Sequence, residues 1–201
     1  MDLYGPDPDS RNTHVITTAR LIIEPPAPAH APALYDLAGG PDRDAITAGL
    51  LWEGPESVAD IELWVQRRQA QTFAEGGFGW VIVDREGEVS GMPCNPLGTV
   101  TIRQQFFPGR CTVGYWLGRA YWGQGLMTEA LTALIDFAFS QLRMVKVEAE
   151  VFARNTPSLA VVERLGMRHE SSIRRAVFKN GEWLDERTYG LIPEEWPVSD
   201  R

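Results

Sequence analysis

The sequence predicts a single-domain α/β fold in which a mixed sheet carries helices on both faces. Three observations lead to this prediction. A length of 201 residues, with 44% apolar and 23% charged residues, suits one soluble domain with a sizeable core. A glycine-containing turn at 123–125 lies between an alternating strand pattern and a strongly periodic helix pattern. The resulting order is strand, helix, strand and helix, and elements in this order usually form a sheet with helices packed against it.

The first half of the chain is predicted to contain one strand and two helices. Residues 19–24 read as a strand, 28–37 as a short helix entered through prolines, and 56–74 as a helix with apolar residues at helical spacing. Between the two helices, 38–54 reads as a glycine-punctuated loop. Residues 14–197 form the predicted domain, between a flexible N-terminal tail, 1–13, and a C-terminal tail, 198–201.

The second half is predicted to supply most of the sheet. The helix 125–142 has one apolar face, and Asn180-Gly181 is a hairpin turn signal. The simplest connection of the first three strands is an antiparallel meander. The predicted strands, each bounded by turn signals or alternating in polarity, are 79–84, 97–103, 112–118, 145–152, 168–177 and 186–191.

Charge and composition exclude several classes of function. The formal net charge of -8 argues against nucleic-acid binding, which needs a basic surface, and favours amine-bearing partners. No apolar run approaches membrane-spanning length and the N-terminus is polar and acidic, so a cytoplasmic protein without membrane contact is expected. Neither the two cysteines nor the three histidines form a local cluster, so no metal is assigned. The aromatic-rich composition permits a homodimer.

Two motifs carry the chemistry. Residues 121–130 read Y-W-G-Q-G-L-M-T-E-A, where glycines at a helix start leave backbone N–H groups open to phosphate oxygens. Turn geometry alone is the alternative explanation for these glycines. Residues 155–167 read N-T-P-S-L-A-V-V-E-R-L-G-M, a helix with a capping Asn155 or Thr156 and a left-handed exit at Gly166.

Together these motifs resemble the GNAT superfamily of N-acetyltransferases, and specifically its RimJ/RimL-like branch. Residues 18–23 look like the opening strand of that branch, and 181–196 look like its closing segment. The resemblance implies a GNAT-like, mostly antiparallel sheet. It also implies an acyltransferase that uses acetyl-CoA as cosubstrate and acetylates a primary amine, either a protein N-terminal α-amine or a small-molecule amine.

Two other functions are weighed against this one. A non-catalytic CoA-binding module of the same fold is the alternative, since Val162 stands where many superfamily members have a tyrosine, and Met127 where a small residue is expected. The methionine is expected to narrow the approach to the phosphates. A nucleotide phosphotransferase is disfavoured because no Lys-Ser/Thr pair follows the glycines.

The resemblance implies a set of cofactor-binding residues. Main-chain N–H groups of 123–128 would hold the pyrophosphate, and Asn155 would hold the pantetheine arm unless it only caps its helix. Arg119, Arg154, Arg164 and Arg168 are expected to offset the acidic net charge locally, or else to be solvated surface residues. The predicted cofactor-binding residues are Trp116, Leu117, Trp122, Gly123, Gln124, Gly125, Leu126, Met127, Thr128, Asn155, Ser158 and Arg164.

Three residues are predicted to act in catalysis. The N–H of Leu117 would stabilise the thioester oxyanion, although Gly114 and Gly118 can equally signal a simple bulge. Ser158, by resemblance, would protonate the departing thiolate, with helix capping as the plain alternative. Glu150, and less so Glu148, would accept the amine proton through water unless both belong to an exposed acidic stripe. The aromatic side chains predicted either to wall an acceptor pocket or to fill the core are Trp52, Tyr115 and Trp116.

Overall fold

The computed structural model describes residues 5–7 and 9–197. Residues 1–4 and 8 of the predicted N-terminal tail, and the predicted C-terminal tail 198–201, lie outside the described residues. The part of the N-terminal tail next to the domain lies against it: the Phe73 N–H donates to the Ser10 carbonyl at 2.9 Å, and Asn12 Nδ2 donates to the Gly79 carbonyl at 2.8 Å. The flexibility of 1–13 stays a prediction.

The strands are β1 Ile16–Thr17, β2 Leu21–Glu24, β3 Phe78–Asp84, β4 Pro96–Gln104, β5 Arg110–Leu117, β6 Lys146–Phe152, β7 Arg168–Lys179 and β8 Glu182–Leu191. Within the described residues they form one sheet in the order β1-β2-β3-β4-β5-β6-β8-β7. Neighbouring strands are antiparallel except β5 and β6, which are parallel. The predicted mixed, mostly antiparallel sheet is confirmed.

The helices are α1 Ala31–Ala38, α2 Arg43–Thr47, α3 Val58–Ala70, α4 Phe73–Gly76, α5 Leu126–Ser140 and α6 Thr156–Arg164. The helices cover both faces of the sheet. This follows from strand β3, whose residues are all buried and whose side chains alternate between two hydrophobic clusters, one on each face. Trp80 and Ile82 pack in the core that contains α5, whereas Val81 and Val83 pack in the cluster that contains α1 and α3. The predicted helices on both faces are therefore confirmed.

The predicted elements differ from the structure mainly between α1 and β3. The stretch 38–54, predicted as a loop, contains the short helix α2, which is too brief to show a helical repeat in the sequence. The predicted helix 56–74 ends at Ala70, and a new turn, α4, begins after Thr72, whose N–H and hydroxyl both bond to Glu75. Among the described residues, no helix combines the length and the apolar character needed to span a bilayer.

The closing hairpin is longer than predicted. Its strands β7 and β8 extend to either side of Asn180 and Gly181, whose φ angles of +50° and +81° give the tight turn that the Asn-Gly pair favours. Because β8 lies between β6 and β7, this hairpin places its side chains beside those of β6.

Candidate active site

Strand β5 has an open edge beside β6. It pairs with β4 as far as Leu117, but its parallel pairing with β6 ends at Thr112 and Glu148, after which the two strands diverge. The Gly118 N–H donates to the Leu97 carbonyl at 2.8 Å, and N–H groups alternate in direction along an antiparallel strand. The N–H of Leu117 therefore points away from β4 and into the gap between β5 and β6.

The turn before α5 presents free backbone N–H groups. Gly123 and Gly125 have φ angles of +74° and +76°, which glycine adopts without strain. The first helical hydrogen bond runs from the Glu129 N–H to the Gly125 carbonyl at 3.0 Å. The N–H groups of 126–128 consequently have no acceptor inside the helix, and the helix dipole adds partial positive charge there. This arrangement suits an anion such as a phosphate.

The glycine turn is fixed from two sides. Arg20, immediately before β2, donates from Nη1 to the Gln124 carbonyl at 3.2 Å and from Nε to Glu129 Oε2 at 2.7 Å. On the other side, Trp122 Nε1 donates to the Leu117 carbonyl at 2.8 Å. The turn is thereby held between β2 and β5 before any ligand binds. Sequence reasoning missed the part played by Arg20, which it treated only as a residue of the opening strand.

A cavity of about 600 Å³, the large cavity, lies between the glycine turn, β5 and the start of α6. Gln124 is not among its lining residues, since its side-chain Nε2 donates to the Ala120 carbonyl at 3.0 Å. Met127 lines the cavity but is only 8% exposed, because it packs into the core around α5. The predicted cofactor-binding residues that line the cavity are Trp116, Leu117, Trp122, Gly123, Gly125, Leu126, Met127, Thr128, Asn155, Ser158 and Arg164.

Two of the four arginines predicted to offset the acidic charge line the large cavity. Arg164 Nη1 donates to Thr128 Oγ1 at 3.2 Å, and Arg154 pairs with Glu182 of the closing hairpin. Arg164 therefore supplies positive charge to the cavity despite the net charge of -8, whereas Glu182 offsets the charge of Arg154. The other two lie outside its lining and form ion pairs elsewhere, Arg119 with Asp42 and Arg168 with Glu195.

Ser158 lies in the first turn of α6, where two contacts fix its position. Its N–H donates to Asn155 Oδ1 at 3.2 Å, so Asn155 caps the helix as predicted. Its Oγ is 2.6 Å from Tyr115 Oη on β5. Burial raises the pKa of Tyr115 to about 12, although the hydrogen bond with Ser158 acts in the opposite direction. The phenol is therefore protonated at neutral pH, and the pair carries two hydroxyl groups at the cavity wall.

A second cavity of about 390 Å³, the small cavity, lies beside α3 and the loop that follows α2. All three aromatic residues predicted as a pocket wall line it, and the rings of Trp52 and Trp116 are 5.8 Å apart. The small cavity meets the large one at the gap between β5 and β6. The residues that line both cavities are Gly49, Leu50, Val113, Gly114, Tyr115, Trp116 and Glu150.

The two carboxylates on one face of β6, Glu148 and Glu150, have different surroundings in the structure. Glu148 is buried, and Arg110 Nη2 lies 2.7 and 2.9 Å from its two oxygens, while Lys146 Nζ lies 3.1 Å from Oε1. Burial alone would raise the pKa of Glu148, but the hydrogen bonds from Arg110 and Lys146 outweigh it and hold that pKa below its ordinary value. Glu148 is therefore a structural anion.

Glu150 is exposed, forms no ion pair within the described chain, and lines both cavities. A second carboxylate lies near it: Glu186 on β8 lines the small cavity, and burial, together with the charge of Glu150, raises its pKa. Sequence reasoning missed Glu186, because its position beside β6 follows only from its pairing with Phe152, two residues from Glu150. The gap thus has two carboxylates on its small-cavity side.

Known proteins of similar sequence share a domain with this chain. Residues 20–168 match the family model described as an acetyltransferase (GNAT) domain. The probable N-acetyltransferase YjcK of Bacillus subtilis (strain 168) is 36% identical over 98 residues, which are 48% of this chain and 54% of that protein. The ribosomal protein uS5-alanine N-acetyltransferase of Escherichia coli (strain K12) is 30% identical over 86 residues, 43% of this chain and 44% of that one. The chain spans about half the length of these curated relatives.

Solved structures share the fold over most of the chain. Mycobacterium smegmatis RimJ in complex with CoA-disulfide gives a TM-score of 0.81 at 21% identity, covering 92% of this chain and 90% of that one. At this identity the likeness concerns the fold alone.

Proposed function

Since the chain belongs to the GNAT acetyltransferase family, we propose that it transfers the acetyl group of acetyl-CoA to a primary amine. One observation carries the proposal: the gap between β5 and β6 joins the large cavity, which contains the glycine turn, to the small cavity, which contains the carboxylates. A thioester entering from one side and an amine from the other would meet at this gap, and holding two reactants together is itself a large part of catalysis.

The large cavity fits a CoA thioester. The free N–H groups of 126–128 suit the pyrophosphate, and Arg164 adds positive charge for the phosphates. Arg154 would contribute by exchanging its Glu182 partner for a phosphate. The Asn155 amide, which caps α6 through Oδ1, keeps its Nδ2 for the pantetheine arm. Mycobacterium smegmatis RimJ, which shares the fold, forms a complex with CoA-disulfide, and this supports the same ligand class here.

The groups at the gap suit direct transfer. As the amine nitrogen bonds to the thioester carbon, negative charge develops on the carbonyl oxygen, and the Leu117 N–H that faces the gap would stabilise it. The C–S bond then breaks and the sulfur leaves as a thiolate. Ser158 would donate its hydroxyl proton to that sulfur and regain one through Tyr115, 2.6 Å away, which would recover its own proton from solvent water. The newly bonded nitrogen would release its surplus proton to water, so that the products are the amide and the free thiol.

The carboxylates suit the amine side. A protein α-amine, with a pKa near 7.8, costs about 1 kcal/mol to neutralise at pH 7, whereas a lysine amine costs about 4.6 kcal/mol. Glu150, at the gap, would accept the ammonium proton through water. The charged residues that line the small cavity are three acidic ones, Asp60, Glu150 and Glu186, and one basic one, Arg103, and this balance would favour a cationic acceptor. The acceptor is accordingly a protein N-terminal α-amine or a small-molecule amine.

The test is release of the CoA thiol from acetyl-CoA with three acceptors: a tetra-alanine peptide, spermidine and kanamycin. We expect at least one to give steady thiol release and a product heavier by one acetyl group in mass spectrometry. Calorimetric binding of CoA without turnover of any amine would favour the non-catalytic CoA-binding module. A failure to bind CoA at all would refute the proposal.

The two β6 carboxylates give a further prediction. Glu150→Gln is expected to lower kcat/KM for the amine by about tenfold or more, since it removes a proton acceptor, with no change in stability because the side chain is exposed. Glu148→Gln is expected to lower activity less but to reduce the free energy of unfolding at pH 7 by about 2 kcal/mol, since it weakens charge-assisted hydrogen bonds. Steady-state kinetics and urea unfolding measure the two effects.

The stability loss should depend on pH. The pKa of Glu148 is lowered by folding, so its contribution is present above the unfolded value of about 4.3 and is lost as the pH falls through the lower folded value. The difference in the free energy of unfolding between Glu148→Gln and the wild type should therefore become smaller at acidic pH. Equal, unaffected rates in both variants would remove both carboxylates from the mechanism, and a pH-independent stability difference would contradict the role given to Glu148.

A further inference from the structure

Lys179 links two parts of the chain that line the small cavity. It is the last residue of β7, and its Nζ lies 2.8 Å from Glu53 Oε1 and 3.3 Å from the Trp52 carbonyl. Only 2% of its side chain is exposed, whereas the Glu53 side chain is 64% exposed. Lys179 is therefore buried and hydrogen-bonded to a loop that lies 126 positions away in sequence.

The loop it holds follows α2 and forms one wall of the small cavity. Leu50, Leu51 and Trp52 line the cavity, and Trp52 packs near Trp116 on β5. The loop also has a local tether, because Arg43 Nε in α2 donates to the Glu53 carbonyl at 2.9 Å. Arg43 holds the loop to its own helix, whereas Lys179 supplies polar contacts between the loop and the sheet, in addition to the packing of Trp52 near Trp116.

The hairpin on the other side contributes the opposite wall. Lys179 pairs with Glu182 across the turn, and alternate residues of β8 from Glu182 share a face of the sheet, which brings Glu186 to the same face. Glu186 and Phe152, which are paired residues on β8 and β6, both line the small cavity. Lys179 thus spans from the strand pair that carries Glu186 to the loop that carries Trp52.

We propose that Lys179 is a positioning residue that fixes the distance between the Trp52 loop and the β8 wall, and so determines which amines enter the small cavity. The kinetic part of this inference rests on the proposed acetyl transfer. Lysine suits the role because its long apolar stem can be buried while one compact charge reaches both the Trp52 carbonyl and the Glu53 carboxylate.

A purely structural role would favour a different residue. Burying an ammonium group is costly, and its carboxylate partner here is mostly exposed to water, where an ion pair contributes little. An apolar side chain would fill the same space without that cost. An apolar residue would lack the hydrogen bonds to the Glu53 carboxylate and to the Trp52 main chain, and the second of these acts directly on the backbone of the loop.

The experiment compares Lys179→Met, Lys179→Arg and the control Arg168→Met. Arg168 lies at the other end of β7 and pairs with Glu195 outside both cavities, so its loss removes a charge from the same strand without touching the loop. Hydrogen exchange of 48–55 is measured in each protein, together with CoA affinity by calorimetry and KM and kcat for 1-butylamine and tetra-alanine as narrow and wide acceptors.

In Lys179→Met we expect exchange in 48–55 to accelerate about tenfold or more and the ratio of kcat/KM for the two acceptors to change about tenfold through KM. CoA affinity should change less than the selectivity, because Lys179 contacts Trp52 and Glu53, which do not line the large cavity, although Gly49 and Leu50 of the same loop do. Lys179→Arg should restore part of the selectivity, and Arg168→Met should behave as wild type. Unchanged exchange, or faster exchange with unchanged selectivity, would overturn the proposal. Absence of turnover in the wild type would instead count against acetyl transfer, and exchange would still decide whether Lys179 holds the loop.

Discussion

The double substitution Gly123→Ala and Gly125→Ala is expected to weaken CoA binding by about 100-fold or more. Both residues have φ near +75°, where an L-residue is strained, so alanine favours rotation of the backbone that aims the N–H groups of 126–128. Two charge-assisted hydrogen bonds to phosphate, at about 1.5–3 kcal/mol each, account for a loss of this size. Calorimetric titration with CoA measures it.

The chain contains a matched control for this substitution. Gly166 and Gly181 have φ angles of +76° and +81°, and an added Cβ at either position meets no atom within 4 Å, as is also true of Gly123. The pair Gly166→Ala and Gly181→Ala should therefore cost similar stability, of the order of 1–2 kcal/mol per site, without changing CoA affinity. Equal affinity losses in both double variants would show that the glycine turn has no special part in binding.

The same glycine turn shows how far sequence reasoning reaches. Residues 125–142 were predicted as a helix from their apolar repeat, and α5 runs from Leu126 to Ser140. Long periodic segments are predicted well because burial of one face determines both their type and their extent. The helix α2 could not be predicted in this way, since five residues do not complete two turns and its formation depends on packing against the rest of the domain.

The site was predicted where its residues are neighbours in sequence and missed where they meet through the fold. Motif spacing placed Asn155 and Ser158 in one helix turn, but gave no reason to bring Tyr115 to Ser158. The contact between Arg20 and Glu129 joins residues 109 positions apart. Hydrophobic periodicity predicts which face of a strand is buried, but not which strands become neighbours, so these contacts require the sheet order.

Helix α6 lacks the tyrosine that many superfamily members have, and the contact between Ser158 and Tyr115 offers a substitute for it. Val162, at the position where many superfamily members have that tyrosine, is fully buried and can supply no proton. Tyr115 instead approaches from β5, with its hydroxyl on Ser158 Oγ and its ring in the wall of the large cavity. A tyrosine thus lies near the proposed acid, Ser158, but it belongs to a strand of the sheet and not to helix α6. Because its hydroxyl is hydrogen-bonded to Ser158 Oγ, Tyr115 suits the role of returning a proton to Ser158.

Ser158→Ala is expected to lower kcat by about 100-fold or more, because general acid catalysis contributes roughly 10²–10⁴-fold. The change removes only the hydroxyl, and the Asn155 cap survives because it accepts from the Ser158 main-chain N–H. CoA affinity and the free energy of unfolding should therefore change little, which separates this loss from a structural one. Single-turnover mixing with acetyl-CoA and the best acceptor measures the chemical step.

Tyr115→Phe and the double variant complete the test. If Tyr115 only returns a proton to Ser158, Tyr115→Phe should lower kcat by about tenfold, and Ser158→Ala with Tyr115→Phe should be no slower than Ser158→Ala alone, since residues of one relay are not additive. Ser158→Thr, which keeps a hydroxyl, should recover part of the rate. Full activity of Ser158→Ala would exclude the serine as the acid, whereas a double variant much slower than either single one would mean that Tyr115 protonates the thiolate independently.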